Sequence, residues 1–185
     1  MIGSHRIVGY AIVSADGMIA VSNGAIPDTI RNDADQHFLQ AELDGVDVVL
    51  HGRHSCEGGP RAEQRRRVIV TRRVSSVARD SSRPNAALWN PSGASLEQAL
   101  GKLGVENGTV AVIGGTEVFG LFLPCYDAFH LTRAAHAMIP GGRPVFPQVD
   151  QRKAPEDLLA AHGLKPRRRR DIDPAAAITM TTWTR

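Results

Sequence analysis

Cysteine is scarce in this chain: Cys56 and Cys125 are the two among 185 residues, too few for the disulfide frameworks that staple small secreted folds. Both read as ordinary buried or half-buried thiols of a reducing compartment, with the cytoplasm as the expected location. Long apolar runs are missing as well. The stretch MIGSHRIVGYAIVSADG at the N-terminus holds one short apolar segment without a basic leader, so neither a signal peptide nor a membrane span is expected there. Aromatic residues make up 5% of the chain and none is interleaved with its basic runs. That weighs against a nucleic-acid partner, because base stacking normally contributes to such binding. The pattern G-x-G-x-x-G is absent too, which excludes the ordinary dinucleotide fingerprint.

What is present suffices for one good core. Hydrophobic residues are 42% of the 185 positions, and residues 1–185 read as a single domain without internal repeats. Apolar, β-rich runs recur at residues 7–13, 46–50, 68–71, 86–89, 110–113, 128–131 and 178–183, with helix-like segments at 33–44, 95–103 and 116–122 between several of them. This alternation predicts an α/β fold with a mostly parallel sheet covered on both faces. Only the short stretch 154–162 offers a helix between the last two runs, so an antiparallel strand is expected at the C-terminal edge. The segment PGGRPVFPQ at 140–148 reads as a loop entering the last part of the sheet.

Open sheets of this kind bind ligands beyond the carboxyl ends of their strands, and the unusual residues of this chain fall there. The run ending at residue 50 leads into His51-Gly52-Arg53-His54-Ser55, the run from 68 into Thr71-Arg72-Arg73, and the run from 110 into Ile113-Gly114-Gly115-Thr116. A strand that passes through paired glycines into a helix presents bare amides at one point and attracts phosphate. With the hydroxyls and guanidinium groups beside them, these ends suit a pyrophosphate plus one further phosphate monoester. NADPH fits that inventory. Taken singly, the Gly-Gly pair could be a tight turn and Gly52-Arg53 a helix-entry turn; their conjunction carries the expectation. The net charge of +3 is concentrated in arginines, at 61, 65–67, 72–73 and 167–170. The last run, after Pro166, reads as a solvated basic face. A non-catalytic basic protein that binds RNA or DNA through these clusters is the reading of another class.

The blocks SADGMIAVSNGAIP, VVLHGRHSCEGGP, RRRVIVTRR, VAVIGGTEVFGLFLPCYDAFHLTRA and RPVFPQVD, in this order and spacing, resemble the dihydrofolate reductase superfamily as far as Asp150. The resemblance implies that family's three-layer α/β fold and NADPH as cofactor. It implies that Gly52, Arg53, His54 and Ser55 meet the cofactor phosphates, with Thr71 and Arg72 at the 2′-phosphate. Ile113, Gly114, Gly115, Thr116, Glu117 and Val118 would line the pyrophosphate and nicotinamide side. Ala11 and Ile19 are placed with the cofactor and Ile12 and Leu39 with the substrate, while residues 21–27 resemble the family's mobile loop, whose glycine suits a lid. Thr132 resembles the threonine that bonds the pterin-binding carboxylate, and Arg65 the arginine that grips the glutamate carboxylate of folate.

Two residues compete for the active-site acid. Asp33, with Gln36 three positions on, has the pattern of a helix cap. Asp35 precedes Phe38 and Leu39 by one turn on the core side, where a carboxylate needs a reason; partly desolvated, it should have a raised pKa useful for general acid work. The activity implied is hydride transfer to a C=N bond of a pterin, dihydrofolate first, with no metal. The alternative is the riboflavin-pathway 5-amino-6-(5-phosphoribosylamino)uracil reductase, which FLQAELDGVDVVLHG and PGGRPVFP resemble more closely. The family's tryptophan after the loop proline is replaced by Asp28, and Thr116 stands where a third glycine is common. A small-molecule substrate is the expected partner; monomer and homodimer both remain open.

Overall fold

The computed structural model describes residues 2–55 and 58–185; the thiol expected at Cys56 lies outside the described residues. The chain opens with β1 (His5–Ser14), a strand rich in Ile, Val and Ala that is buried along most of its length, as a central parallel strand must be. A tight turn at Gly17 leads to β2 (Met18–Ala20), and a single 3-10 turn at Asp28–Ile30 precedes α1 (Asp33–Asp44). There follow β3 (Val48–Gly52), β4 (Arg67–Val70), β5 (Val77–Arg79) and β6 (Ala86–Trp89). Then come α2 (Leu96–Gly101), β7 (Gly108–Val112), α3 (Thr116–Phe122) and β8 (Ala128–Ala134). The chain closes with β9 (Arg143–Pro144), α4 (Pro155–Ala161), β10 (Lys165–Asp173) and β11 (Ile178–Thr184).

The sheet is nine-stranded in the order β10-β11-β8-β1-β7-β3-β4-β6-β5. The core from β8 to β6 is parallel, and β11, β10 and β5 run antiparallel at the two margins. This is the mostly parallel sheet with an antiparallel C-terminal edge that the sequence predicts. Strand side chains alternate between faces, and the packing divides accordingly. Val8, Tyr10, Val49 and Ala111 pack under Phe38, Leu39 and Leu43 of α1, while Ile7, Leu50, Val68, Val110 and Val112 share the larger core with residues of α2, α3 and α4. Three layers result. In the larger core the Phe129 ring lies edge-on to Tyr126 at 5.0 Å and against Phe146 at 5.4 Å. Each such buried ring contributes roughly 2 kcal/mol of apolar burial. Phe129 crosses β1 at Gly9, where a Cβ would meet its ring at 2.3 Å, so that position takes no side chain.

Several local expectations change. Asn32, not Asp33, caps α1: its extended backbone lets Oδ1 accept the Asp35 N–H at 3.0 Å, and its Nδ2 donates to Asp173 at 2.8 Å. Asp33 stands in the first turn, where its charge favours the helix start. Ser95 and Gln98 do form a reciprocal capping box on α2. Within 140–148 the two residues of β9 pair with β2 in a small separate sheet. The arginine run 167–170 is largely exposed, yet it is part of the edge strand β10 rather than a coil.

Candidate active site

The carboxyl ends of β1, β3, β4 and β7 open into one cleft of about 1650 Å³. At one end the loop tips are fastened directly: the Gly52 N–H donates to the Gly114 carbonyl at 2.6 Å. Gly114 has φ of +112°, a region that side chains rarely enter, and a Cβ there would strike Phe119 at 2.9 Å. A Cβ on Gly115 would stand 3.0 Å from Ser55 Oγ, so the bare backbone at this glycine leaves room for the close approach of the tips after β3 and β7. The third tip adds charge. Thr71 is buried, its N–H donating to Trp89 O and its Oγ1 accepting the Arg73 N–H at 3.2 Å, which leaves Arg72 and Arg73 exposed on the rim. Arg53 donates to His54 at 3.2 Å. Among the described residues no carboxylate forms an ion pair with Arg53, Arg72 or Arg73, and these three guanidinium groups face Glu117 as the one carboxylate in the lining of this end.

The other end is an acid in an apolar surround. The cap at Asn32 sets the phase of α1 so that Asp35, Phe38 and Leu39 turn into the cleft with Ile12 and Thr132. Thr132 is buried on β8 in register with Ile12. Burial lifts the Asp35 carboxyl above its ordinary value, and a hydrogen bond from Thr132 pulls it part of the way back. Over this end hangs the loop that contributes Asn23, Gly24, Ala25 and Ile26 to the lining.

Of the residues named from sequence, the cleft gathers Ala11, Ile12, Ile19, Asp35, Leu39 and Thr132 at the apolar end. Gly52, Arg53, His54, Ser55, Thr71 and Arg72 are at the charged end, with Ile113, Gly115, Thr116, Glu117 and Val118 at the turn into α3. Gly114 stands behind this lining, as the acceptor of the Gly52 bond. Arg65 is not brought to the cleft. Its Nη2 donates to Asp44 at 2.6 Å and to Gln40 Oε1 at 3.0 Å, because residues 40 and 44, four apart on α1, present both acceptors on one side. It lines a separate polar cavity of about 460 Å³ with Arg61, Gln64 and Asn85.

Sequence reasoning missed the innermost wall. Tyr10 and His130, cross-strand neighbours on β1 and β8, stack at 4.9 Å with 10° between planes, and Phe38 closes on both. The signal was available: each lies two residues before Ile12 or Thr132, hence on the same face, and Phe38 lies three after Asp35. The Tyr10 hydroxyl donates to Glu42 at 3.0 Å, and burial together with that carboxylate raises its pKa. Burial pushes His130 down to about 4, opposed by Glu42 and aided by Arg170 and Arg6, so near neutrality it is an uncharged, half-buried ring. Arg170 of β10 stacks over Phe38 at 5.5 Å. Arg73, Asn90 and Arg143 complete the rim.

Among the described residues no helix is long and apolar enough to cross a membrane. A comparison with curated proteins gives no match. Among solved structures, dihydrofolate reductase from Enterococcus faecalis, complexed with NADP(H) and RAB-propyl, superposes with a TM-score of 0.64 at 16% identity, covering 97% of this chain and 95% of that one. A protein from Shewanella sp. PV-4 assigned to riboflavin biosynthesis gives 0.66 at 17% identity over 97% and 98%. The diaminohydroxyphosphoribosylaminopyrimidine deaminase/5-amino-6-(5-phosphoribosylamino)uracil reductase of Thermotoga maritima gives 0.64 at 18% identity; this chain is covered to 97% and spans 56% of that longer one. At these identities the likeness is one of fold. The family described as dihydrofolate reductase matches residues 7–157, most of the length over which the strands and the cleft are built, and the chain belongs to that family.

Proposed function

We propose that the protein is an NADPH-dependent reductase that transfers a hydride to a C=N bond of a pterin, with dihydrofolate as the first substrate. One observation carries the reading: a single cleft joins three cation- and amide-bearing loop tips to a half-buried carboxyl hydrogen-bonded by a threonine. The residues present fit the cofactor. Arg53, Arg72 and Arg73, which form no ion pair among the described residues, suit its phosphates, and the bare backbone at Gly52 and Gly115 gives close approach. When bound, NADPH supplies the hydride.

The rest is done by the chain itself. Thr132 fixes the orientation of the Asp35 carboxyl, which can then accept hydrogen bonds from an amino-substituted ring edge. Because burial outweighs that bond, Asp35 keeps its proton to higher pH than an exposed aspartate and can deliver it, directly or through water, to the ring nitrogen. Ile12, Leu39 and the Tyr10–His130 stack bound a flat apolar slot that excludes water and aligns two planar rings.

The 5-amino-6-(5-phosphoribosylamino)uracil reductase reading is favoured by one feature, the engagement of Arg65 with Asp44 and Gln40 away from the cleft, which leaves a folate tail without that arginine. The test is to follow loss of NADPH absorbance with dihydrofolate, dihydrobiopterin and the phosphoribosylamino-pyrimidine in parallel. Turnover of the pyrimidine alone transfers the assignment to the second reading, and no nucleotide binding at all overturns both.

A further inference from the structure

The hydrogen bond between Asp35 and Thr132 joins the first turn of α1 to β8, and the C-terminal hairpin of β10 and β11 grips both of these elements. On the strand side the grip is a backbone ladder. Met180 pairs with Thr132 and Thr182 with His130, whose Nδ1 also lies 3.2 Å from the Thr182 hydroxyl. On the helix side it is a relay of side chains. Asn32 Oδ1 accepts the Asp35 N–H at 3.0 Å while Asn32 Nδ2 donates to Asp173 Oδ2 at 2.8 Å. Asp173 Oδ1 in turn accepts the Ala176 N–H at 3.1 Å, inside the turn that joins the two strands.

The first four N–H groups of an α-helix have no partner within it, and Asn32 Oδ1 is the acceptor for that of Asp35. An amide held only there could turn over and present its nitrogen instead. Held at its other end by a carboxylate, which accepts and does not donate, it cannot. The bonds from Asn32 and Ala176 keep the Asp173 carboxyl below the usual carboxylate range, so it is ionised near neutrality. Apolar contacts support the same seat. Ile30, just ahead of α1, shares a buried cluster with Ile178, against which Ile172 packs, and Arg170 lies over Phe38 at 5.5 Å.

We infer that Asp173 is a positioning residue for Asp35: by fixing the Asn32 amide it holds the first turn of α1 where the Asp35 carboxyl meets the Thr132 hydroxyl. The inference rests on the proposed function for the task of Asp35, while the relay itself involves no substrate.

NMR titration of the Asp35 carboxyl in the free protein tests it in wild type, D173A, D173N, T132V and S95A, with amide exchange at Asp35 and turnover measured alongside. The Thr132 bond lowers the Asp35 pKa, so T132V should raise the midpoint and D173A should raise it part of the way. The Asp35 amide should exchange about three- to tenfold faster in D173A than in wild type. D173N keeps one acceptor oxygen and should lie between them in both measurements. S95A removes the cap of α2 instead; it should lower the melting temperature and leave the Asp35 midpoint and amide as in wild type. In the reductase assay, kcat of D173A should fall about three- to tenfold near neutral pH, with the dissociation constant for NADPH unchanged. A wild-type midpoint and exchange rate in D173A overturn the inference. So does an equal shift in S95A, which would make the effect a general loosening. If no substrate is turned over, the proposed function fails, and the free-protein titration still decides the relay.

Discussion

Asp35 is a carboxyl kept in surroundings that disfavour its charge, and two measurable consequences have opposite signs. Its folded pKa lies above the unfolded one, so the folded state loses stability relative to the unfolded as pH rises through that interval. D35N should therefore melt higher than wild type near neutral pH, and the gain should vanish at about pH 3, below both values. Turnover should move the other way, falling about 100-fold near neutrality and less in acid, where solvent protonates the substrate; a pH–rate profile of both proteins checks this. For the exposed arginine at the rim, R72A should weaken NADPH roughly 10- to 100-fold while leaving NADH unchanged, read by fluorescence titration. Equal losses would place the monoester elsewhere. Asp35 was legible as a cleft residue because a carboxylate at a core-facing position stands out against apolar neighbours, and Thr132 through the resemblance carried by HLTRA; the cleft holds both. Tyr10, Phe38 and His130 carried a signal in their spacing from Ile12, Asp35 and Thr132, but it went unread because an aromatic on an apolar face reads as core until the cleft beside it is seen. Arg65 was misleading for a local reason: three consecutive arginines look alike in sequence, and only the neighbouring carboxylate of Asp44 shows where this one is held.

At the scale of elements, caps and pairings decide what propensity leaves open. N32A should cost about 1 kcal/mol, by loss of the bond to the Asp35 amide, with a further share from the bond to Asp173. D33N should cost only a few tenths through the helix dipole. Chemical denaturation of the two variants separates them, and the opposite ranking would return the cap to Asp33. The central strands were readable because they are buried on both faces and so appear as unbroken apolar runs. The marginal ones were not. KPRRRRDID has no alternation of apolar and polar residues, and it becomes β10 because β11 offers a backbone ladder to pair with. The short β2, β5 and β9 likewise owe their existence to a partner rather than to their own composition.

For the molecule as a whole, a cleft that binds nucleotide only in the folded state links ligand to stability. Under the proposed function, NADPH at 100 times its dissociation constant should add about 2.7 kcal/mol and raise the melting temperature by roughly 5 to 10 °C. Thermal scans across a nucleotide titration measure this, and a flat response removes the cofactor from the account. The architecture itself was legible because alternating strands and helices admit few arrangements, whereas the order of strands across the sheet depends on contacts distant in sequence. The open margin of that sheet has its own consequence. Lys165, Arg167, Arg168 and Arg169 are exposed on the outer strand, so two copies approaching there with their arginine stretches opposed would bring like charges face to face. Charge on an edge strand disfavours templating by its unpaired backbone, and concentrated solutions should stay clear at low ionic strength and turn turbid as salt screens the arginines.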